Sequence, residues 1–252
     1  MLNFTQDYLL VMITVAGSLL LIVGLNRLWP AQRRRAHNEL IGWQLTVLGT
    51  TYAVIMGFML YTVWTNFEVA DTNASAEANA LVNVYQLADG LPASQRADLH
   101  KAASAYADTV VNEEWPAMER AESRFTATAQ KDEMWRILMT VKTASPTEST
   151  AEDHAITELS QMSECRRMRQ LASGSHLPGV LWCVLLIGGF LTMTSACMFG
   201  ADNMTLHTLQ VAFFSLLIAL ILVAIADIDQ PFRGAVHVSD EAFRRAQETM
   251  HE

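Results

Sequence analysis

The sequence lacks the residue patterns that mark most soluble enzymes and nucleic-acid-binding proteins. Its 252 residues carry a formal net charge of −9, which argues against nucleic acid as a partner, because such binders need a basic face. There is no Gly-rich phosphate loop and no His pair at helical metal spacing, so no catalytic site, metal site or cofactor is predicted. Strand-like alternation is also absent, which leaves an all-α fold.

Cysteine is scarce as well. The three cysteines are Cys165, Cys183 and Cys197, and no pair of them has the spacing of metal ligands. Cys183 and Cys197 lie within apolar stretches, where a thiol behaves as a small buried hydrophobe. The cysteine content therefore does not identify the compartment of the protein.

Charged residues are missing from four long apolar runs. These runs cover residues 8–26, 40–67, 177–201 and 203–226, and we name them membrane segments one to four. Because a helix needs about 20 apolar residues to cross a bilayer, each run predicts a transmembrane helix. Segment one has no basic leading region and no small-residue cleavage site, so we do not interpret it as a cleavable signal peptide. The lipid bilayer is the first predicted partner.

The remaining sequence suggests how the chain is organised around these segments. We predict membrane segments one and two in residues 1–67, a helical soluble insert in 68–176, and segments three and four in 177–228. A Pro-Phe turn and a C-terminal helix are predicted in 229–252. The predicted fold class is therefore an all-α multi-pass membrane protein, with four transmembrane helices and a helical soluble insert between helices two and three.

Local signals divide the insert into helices. Segment two is expected to continue past the membrane until Gly90 stops it. Ser94 is a candidate N-cap of the next helix, and Pro116 marks a break or kink. Ser149 and Glu152 have capping-box spacing, which predicts the start of a later helix.

The acidic residues of the insert show no catalytic arrangement. Glu113 and Glu114 are interpreted as part of a solvated acidic helix face, and Glu119 and Glu122 in the same way. A membrane enzyme has no support beyond such scattered acids, so the protein is not predicted to be an enzyme.

The basic residues between segments one and two indicate an orientation. Arg27, Arg33, Arg34 and Arg35 lie within nine residues, and the positive-inside rule places their loop in the cytoplasm. The 26 residues before this cluster and the 28 residues after Phe67 contain no Lys or Arg. Arginines shortly before segment three argue the other way. On balance we expect an inner-membrane protein whose N-terminus, insert and C-terminus are extracytoplasmic.

Segment two carries a stripe of side chains at intervals of seven residues. Seven residues make nearly two helical turns, so the stripe stays roughly aligned along one side. Copies of this helix around an axis could line a pore, with Phe58 as an apolar constriction that gates by dewetting. Alternatively, each Thr bonds its own backbone and the stripe packs against other helices, and both interpretations remain open. The stripe and its flanking polar residues within the segment are Gln44, Thr51, Phe58, Thr62, Thr65 and Asn66.

A second pattern in segment two consists of small residues. Gly49, Ala53 and Gly57 are spaced by four, on the side opposite the first stripe. Small residues at this spacing let another helix approach closely, so these three are predicted helix-packing positions.

Two aspartates stand where segment four ends. Asp227 and Asp229 are two residues apart, which puts them on different faces of a helix and argues against a shared metal site. We expect them to mark the water boundary and to meet a basic partner among Arg166, Arg167 and Arg169.

The chain then leaves segment four through a specific turn. Pro231 lacks an N–H and is expected to end the helix, and Gly234 permits a backbone angle that other residues resist. Phe232 is expected to anchor at the membrane interface or in the insert, and Ser239 to begin the next helix. We interpret these residues and the two aspartates as a docking turn between the membrane bundle and the insert.

Several stretches stand in a specific order along the chain. They include "TYAVIMGF" in segment two, "YADTVVNEEWPAM" in the insert, "ECRRMRQL" before segment three and "DIDQPFRGAVHVSDEAF" after segment four. In this order they resemble the bacterial bestrophin-like family, long classified as a domain of unknown function. The resemblance covers nearly the whole chain. It implies a distant similarity to bestrophins, which are pentameric anion channels with an apolar neck on the second membrane helix.

This resemblance implies specific properties here. The protein would be a homopentamer that conducts small inorganic ions, and Val54, Phe58 and Thr62 would form the neck. Bestrophins keep the insert and both termini in the cytoplasm, which is opposite to the orientation expected from the arginine loop. Calcium-sensing bestrophins have a dense acidic run after the turn, whereas only Asp240 and Glu241 follow here, so no calcium site is predicted.

The alternative function is a non-conducting membrane sensor or scaffold whose helical insert binds a partner. The lack of any Asp, Glu, Lys or Arg within the four membrane segments supports it, because ion pathways often carry such residues.

Overall fold

The computed structural model describes residues 4–122 and 124–251, and the described chain is helical with no β-strand. The outermost residues of the predicted terminal segments, 1–3 and 252, lie outside this description. The chain divides into two compact units. The first contains residues 1–65 and 176–229, and the second contains residues 66–175 and 230–252.

The first unit holds the apolar helices. They are α1 (Phe4–Leu28), the short α2 (Ala31–Arg34), the N-terminal part of α3 (Asn38–Leu87), α8 (Gly179–Met198) and α9 (Met204–Ile228). Helix α1 lies against α9 and α8. Their shared interface is apolar with a few small polar residues, and the Ser18 hydroxyl donates to the Ser215 hydroxyl at 3.0 Å.

Four helices in the described residues are long and apolar enough to cross a membrane. They contain α1, α3, α8 and α9, and they coincide with the four predicted membrane segments. Many of their large apolar side chains point outward, including Leu20 and Phe190. Such a surface suits a lipid environment, where a helix satisfies its own backbone hydrogen bonds. The protein is therefore an all-α membrane protein.

Helix α3 is much longer than a membrane crossing requires. Its 50 residues extend for about 75 Å at a rise of about 1.5 Å per residue. A short 3₁₀ turn, Ala88–Gly90, ends it, as the sequence predicted. A Cβ on Gly90 would lie 2.6 Å from the Ala151 Cβ, so this close approach requires glycine.

The second unit is a helical domain with its own core. It contains the rest of α3, α4 (Ala93–Thr109), α5 (Trp115–Glu119), α6 (Thr128–Leu138), α7 (Pro146–Gly174) and α10 (Glu241–His251). Four alanines in this part of α3 are buried, which lets neighbouring helices pack closely; they are Ala70, Ala74, Ala78 and Ala80. Larger core residues include Tyr106, Trp115, Leu159 and Phe243.

Two predicted helix caps are wrong. Helix α4 follows Pro92 without a side-chain cap, and the Ser94 hydroxyl instead donates to the Gln95 Oε1 atom at 2.7 Å. Helix α7 begins one turn earlier than predicted, because Ser145 and Glu148 form the cap in place of Ser149 and Glu152. The Ser145 Oγ atom accepts from the Glu148 N–H at 3.2 Å.

The break expected at Pro116 lies elsewhere. Residues Val110–Glu114 form one π-helical turn that runs directly into α5, where Pro116 stands in the first turn and needs no N–H partner. The chain changes direction after α5, where Ala121 has a positive φ of 67°. Glu114 is the last residue of this π-turn, and its side chain is buried.

Candidate functional site

One face of α3 is uncovered within the protomer along its membrane-spanning part. Phe58 is 65% exposed and Val54 is 53% exposed, although both side chains are apolar. All predicted pore-lining residues are exposed except Thr65, which is half-buried. Such a face needs lipid, another subunit or a pore beside it.

The residues that hold α3 in the protomer lie on a different side of the same helix. Tyr52, Met56 and Val63 are buried, and they lie roughly 120–160° around the helix axis from Phe58. The covered and uncovered sides of α3 are therefore distinct.

Two threonine hydroxyls of α3 donate hydrogen bonds to backbone carbonyls of the same helix. The Thr62 Oγ1 atom donates to the Phe58 carbonyl oxygen at 2.8 Å, and Thr46 donates to the Gly42 carbonyl at 2.9 Å. This satisfies the donor and leaves the lone pairs of the hydroxyl oxygen for water or an ion. The contact is compatible with both interpretations of the stripe, pore lining and helix packing.

The small residues of α3 have no close partner inside the protomer. Cβ atoms built on Gly49 and Gly57 would meet no described atom within 4 Å, and Ala53 is exposed. The predicted close helix approach therefore does not occur within one described chain. It remains a prediction for contacts between subunits.

The second unit contains a buried cluster of four charged residues. Glu77, Glu114 and Arg169 are fully buried, and Arg166 is 3% exposed. Arg169 donates to the Glu77 carboxylate at 2.7 and 2.9 Å and to Glu114 at 2.9 Å. Arg166 donates to both Glu114 oxygens, at 2.8 and 3.0 Å. The cluster carries equal numbers of positive and negative groups.

Tyr106 completes this buried charge cluster. Its hydroxyl donates to Glu77 at 2.5 Å and accepts from Arg166 at 3.0 Å. Burial raises the pKa of Tyr106 well above its ordinary value, and the neighbouring Glu77 raises it further. Burial alone would also raise the pKa of Glu114, but the guanidinium groups of Arg169 and Arg166 outweigh it and lower that pKa. Glu114 is therefore ionised at neutral pH.

The buried charge cluster corrects one expectation from the sequence. Glu114 does not belong to a solvated acidic face, because the π-turn directs it into the core. Arg166 and Arg169 pair with buried glutamates, and Arg167 pairs with Glu164 at the surface. The expected partnership of these arginines with Asp227 and Asp229 remains a prediction.

A signal for the buried arginines was present in the sequence. On α7 the buried apolar positions Ala155, Leu159 and Met162 recur at helical spacing. The same spacing continues to Arg166 and Arg169, which places both guanidinium groups on the buried face. A charge that falls on an apolar helix face needs a buried partner.

The turn after α9 has the local features that its sequence predicts. Gly234 has a positive φ of 92°, which favours glycine. Phe232 is buried in the second unit and packs edge-on against Trp115, with ring centroids 5.7 Å apart. Helix α10 begins at Glu241, and the Asp240 carbonyl accepts from the Phe243 N–H, so Ser239 is not its cap.

Asp229 has its partner inside the first unit. Its carboxylate accepts from the Leu177 N–H at 2.9 Å, which fixes the start of the segment that leads into α8. Burial raises the pKa of Asp229 above its ordinary value. Asp229 therefore joins the end of α9 to the chain before α8.

No group of three or more His, Cys, Asp or Glu side chains that could hold a metal occurs in the described residues. The exposed face of α3 is the candidate functional site, because its apolar and polar side chains are uncovered along the membrane-spanning part. The buried charge cluster is a structural feature of the second unit. The four candidate membrane helices and the long second one among them define a multi-pass helical membrane protein.

The family comparison agrees with this class of protein. The family model described as "Bestrophin-like domain" matches residues 12–243, and the chain belongs to this family of channel-type membrane proteins. Bestrophin-family proteins are channels and not enzymes, which supports the expectation that this protein is not an enzyme. Among curated proteins, none matches this chain.

Solved structures with the same fold are bacterial bestrophin homologues. One single-substitution variant of the homologue from Klebsiella pneumoniae has a TM-score of 0.68 and 14% identity, covering 98% of this chain and 100% of that chain. Another variant has a TM-score of 0.66 and 12% identity, covering 97% of each chain. At these identities the likeness establishes the fold alone.

Proposed function

We propose that this protein is an oligomeric ion channel whose pore is lined by the exposed face of α3. The observation that carries the proposal is the uncovered, mixed apolar and polar face that includes Val54, Phe58 and Thr62. Family membership supplies the class of channel-type membrane protein. A ring of α3 helices would cover this face and leave its side chains around a central path.

The constriction is proposed at Phe58. Val54, Phe58 and Thr62 are spaced by four, so their side chains stack one turn apart. Apolar rings of this kind hold back ions by dewetting. By resemblance to bestrophins the ring would be a homopentamer, with Gly49, Ala53 and Gly57 available for close contact between subunits.

Anion conduction is proposed by the same resemblance. Cation conduction is a second candidate, because Glu68 and Asp71 are exposed on α3 directly beyond the membrane-spanning stripe. Rings of carboxylates at a pore mouth attract cations. Reversal potentials in chloride, gluconate and potassium gradients distinguish the two.

We further propose an inner-membrane location with residues 68–176 as a soluble insert. The arginine loop between α1 and α3 supports an extracytoplasmic insert, N-terminus and C-terminus. A C-terminal alkaline phosphatase fusion tests this orientation. Activity is expected, and an inactive but stably expressed fusion would place the C-terminus in the cytoplasm.

The competing proposal is a non-conducting sensor or scaffold whose insert binds a partner. Its support is the absence of charged side chains within the membrane segments. It predicts a monomer or dimer without current, whereas the channel predicts a ring.

The channel is tested by reconstitution into bilayers. Phe58→Ala is expected to raise conductance or open probability, because it removes the apolar constriction. Phe213→Ala is the matched control, since Phe213 on α9 is 63% exposed. Absence of current under all voltages, pH values and calcium concentrations would contradict the proposal. If the two variants have the same conductance and open probability, Phe58 does not line the pore.

A further inference from the structure

Helix α3 meets α8 at a notch made of two glycines. Tyr52 on α3 is 5% exposed, and its hydroxyl donates to the Leu185 carbonyl oxygen at 3.0 Å. A Cβ atom on Gly188 would lie 2.8 Å from the ring Cδ2 atom of Tyr52, and a Cβ on Gly189 would lie 2.8 Å from its hydroxyl oxygen. The aromatic side chain therefore rests directly on the backbone of α8.

This contact is specific to glycine. Non-bonded carbon atoms pack best at about 3.5–4.0 Å, so a methyl group at either position would displace the tyrosine. A rigid ring has few ways to yield, and α3 carries that ring on a short, two-torsion side chain. An added methyl group would therefore displace α3.

Tyr52 lies close to the proposed constriction on the same helix. Phe58 follows six residues later, which is roughly 9 Å along the axis and roughly 120° around it. The Tyr52 side is covered and the Phe58 side is uncovered, so one side fixes the helix while the other meets the pore. Helix shifts at packed interfaces are about 1–2 Å. Because both residues belong to the same helix, we expect a shift of Tyr52 in the notch to move Phe58 as well.

We propose that the packing contact of Tyr52 with Gly188 and Gly189 positions α3, the pore-lining helix. It holds α3 at a defined distance from α8 and so determines the width of the constriction at Phe58. The functional consequence rests on the proposed channel, whereas the positioning of α3 can be measured without any current.

The positioning is tested with spin labels on purified, spin-diluted protein. Labels on Val47→Cys in α3 and Val180→Cys in α8, in a Cys183→Ser background, report the distance between the two helices. Gly189→Ala is expected to shift that distance by about 1–2 Å or to broaden its distribution. Gly17→Ala is the matched control, because a Cβ there would meet no atom within 4 Å. Identical distance distributions for both variants would overturn the proposal.

The hydroxyl is tested separately. Tyr52→Phe keeps the ring and removes the hydrogen bond to Leu185, so the ratio of open to closed channels should change about three- to tenfold. The control is Tyr61→Phe, since Tyr61 on α3 is 68% exposed. Tyr52→Phe is expected to keep the distance between the labelled helices, whereas Tyr52→Ala should change it.

These arms separate the two proposals. If the distances change but no variant gives a current, the result contradicts the channel and supports the positioning contact. If Gly189→Ala gives normal currents and an unchanged distance, the result contradicts the positioning contact and supports the channel.

Discussion

Removing the Glu114 carboxylate tests the reasoning about the buried charge cluster. In Glu114→Gln the amide keeps one acceptor oxygen but loses the negative charge that faces Arg166 and Arg169. Both guanidinium groups are buried, with side-chain exposures of 4% and 0%, so solvent cannot replace the lost partner. Glu77 remains as the single carboxylate for two buried cations.

The size of the effect follows from this burial. Breaking a buried ion pair by removing one partner costs about 3–5 kcal/mol, because a buried charge is left uncompensated. At about 2–4 °C of melting temperature per kcal/mol for a chain of this size, the shift is about 6–20 °C. The Ala127 N–H, which donates to Glu114 at 2.8 Å, adds to the loss when the amide turns away.

The assay is thermal unfolding of the purified protein in one detergent, followed by intrinsic fluorescence. Glu164→Gln is the control, because Glu164 pairs with Arg167 at the surface with side-chain exposures of 55% and 57%. An exposed pair contributes about 0–1 kcal/mol, so the control should shift the melting temperature by a few degrees at most. Equal shifts for the two variants would refute a stabilising role for the buried charge cluster.

Three further predictions concern the same unit. Ser145→Ala should destabilise the protein by about 1 kcal/mol through loss of the α7 cap, while Ser149→Ala should leave stability unchanged in the same unfolding assay. Gly234→Ala should cost about 1–2 kcal/mol because of its positive φ, unlike Gly174→Ala. The pKa of Glu114 is lowered in the folded state, so its contribution is present above the ordinary carboxyl pKa and is lost as the pH falls through the folded pKa. Acid titration of Glu114→Gln should therefore show a shallower loss of stability than wild type.

Much of the membrane architecture was predictable because it depends on local composition. An uncharged run of sufficient length specifies a spanning helix by itself, and the alanine-rich continuation of α3 to Gly90 follows from helix propensity. The exposed stripe through Gln44, Thr51 and Phe58 was likewise visible from its period of seven. Each of these features needs only neighbouring residues for its interpretation.

The buried charge cluster could not be predicted in the same way. Its members come from α3, α4, the π-turn and α7, and only folding brings them together. Two adjacent glutamates in a polar insert look solvated, and the π-turn that buries Glu114 leaves no signature in composition. Helical spacing did mark Arg166 and Arg169 as lying on the apolar face of α7, but it did not identify Glu77 and Glu114 as partners.

The capping errors have a simpler cause. Ser145, Ser149 and the neighbouring threonines all offer a hydroxyl, and Glu148 and Glu152 both offer a carboxylate at the right spacing. The position of Pro146 selects the first pair, because proline is favoured in the first helical turn.

The central claim is that the exposed face of α3 lines the axis of an oligomer. An electron cryomicroscopy structure of the purified protein in lipid nanodiscs tests it directly. The account predicts a closed ring of subunits in which the Phe58 side chains surround a central axis at the narrowest point. A monomer or dimer, or a ring in which Phe58 contacts lipid, would contradict it.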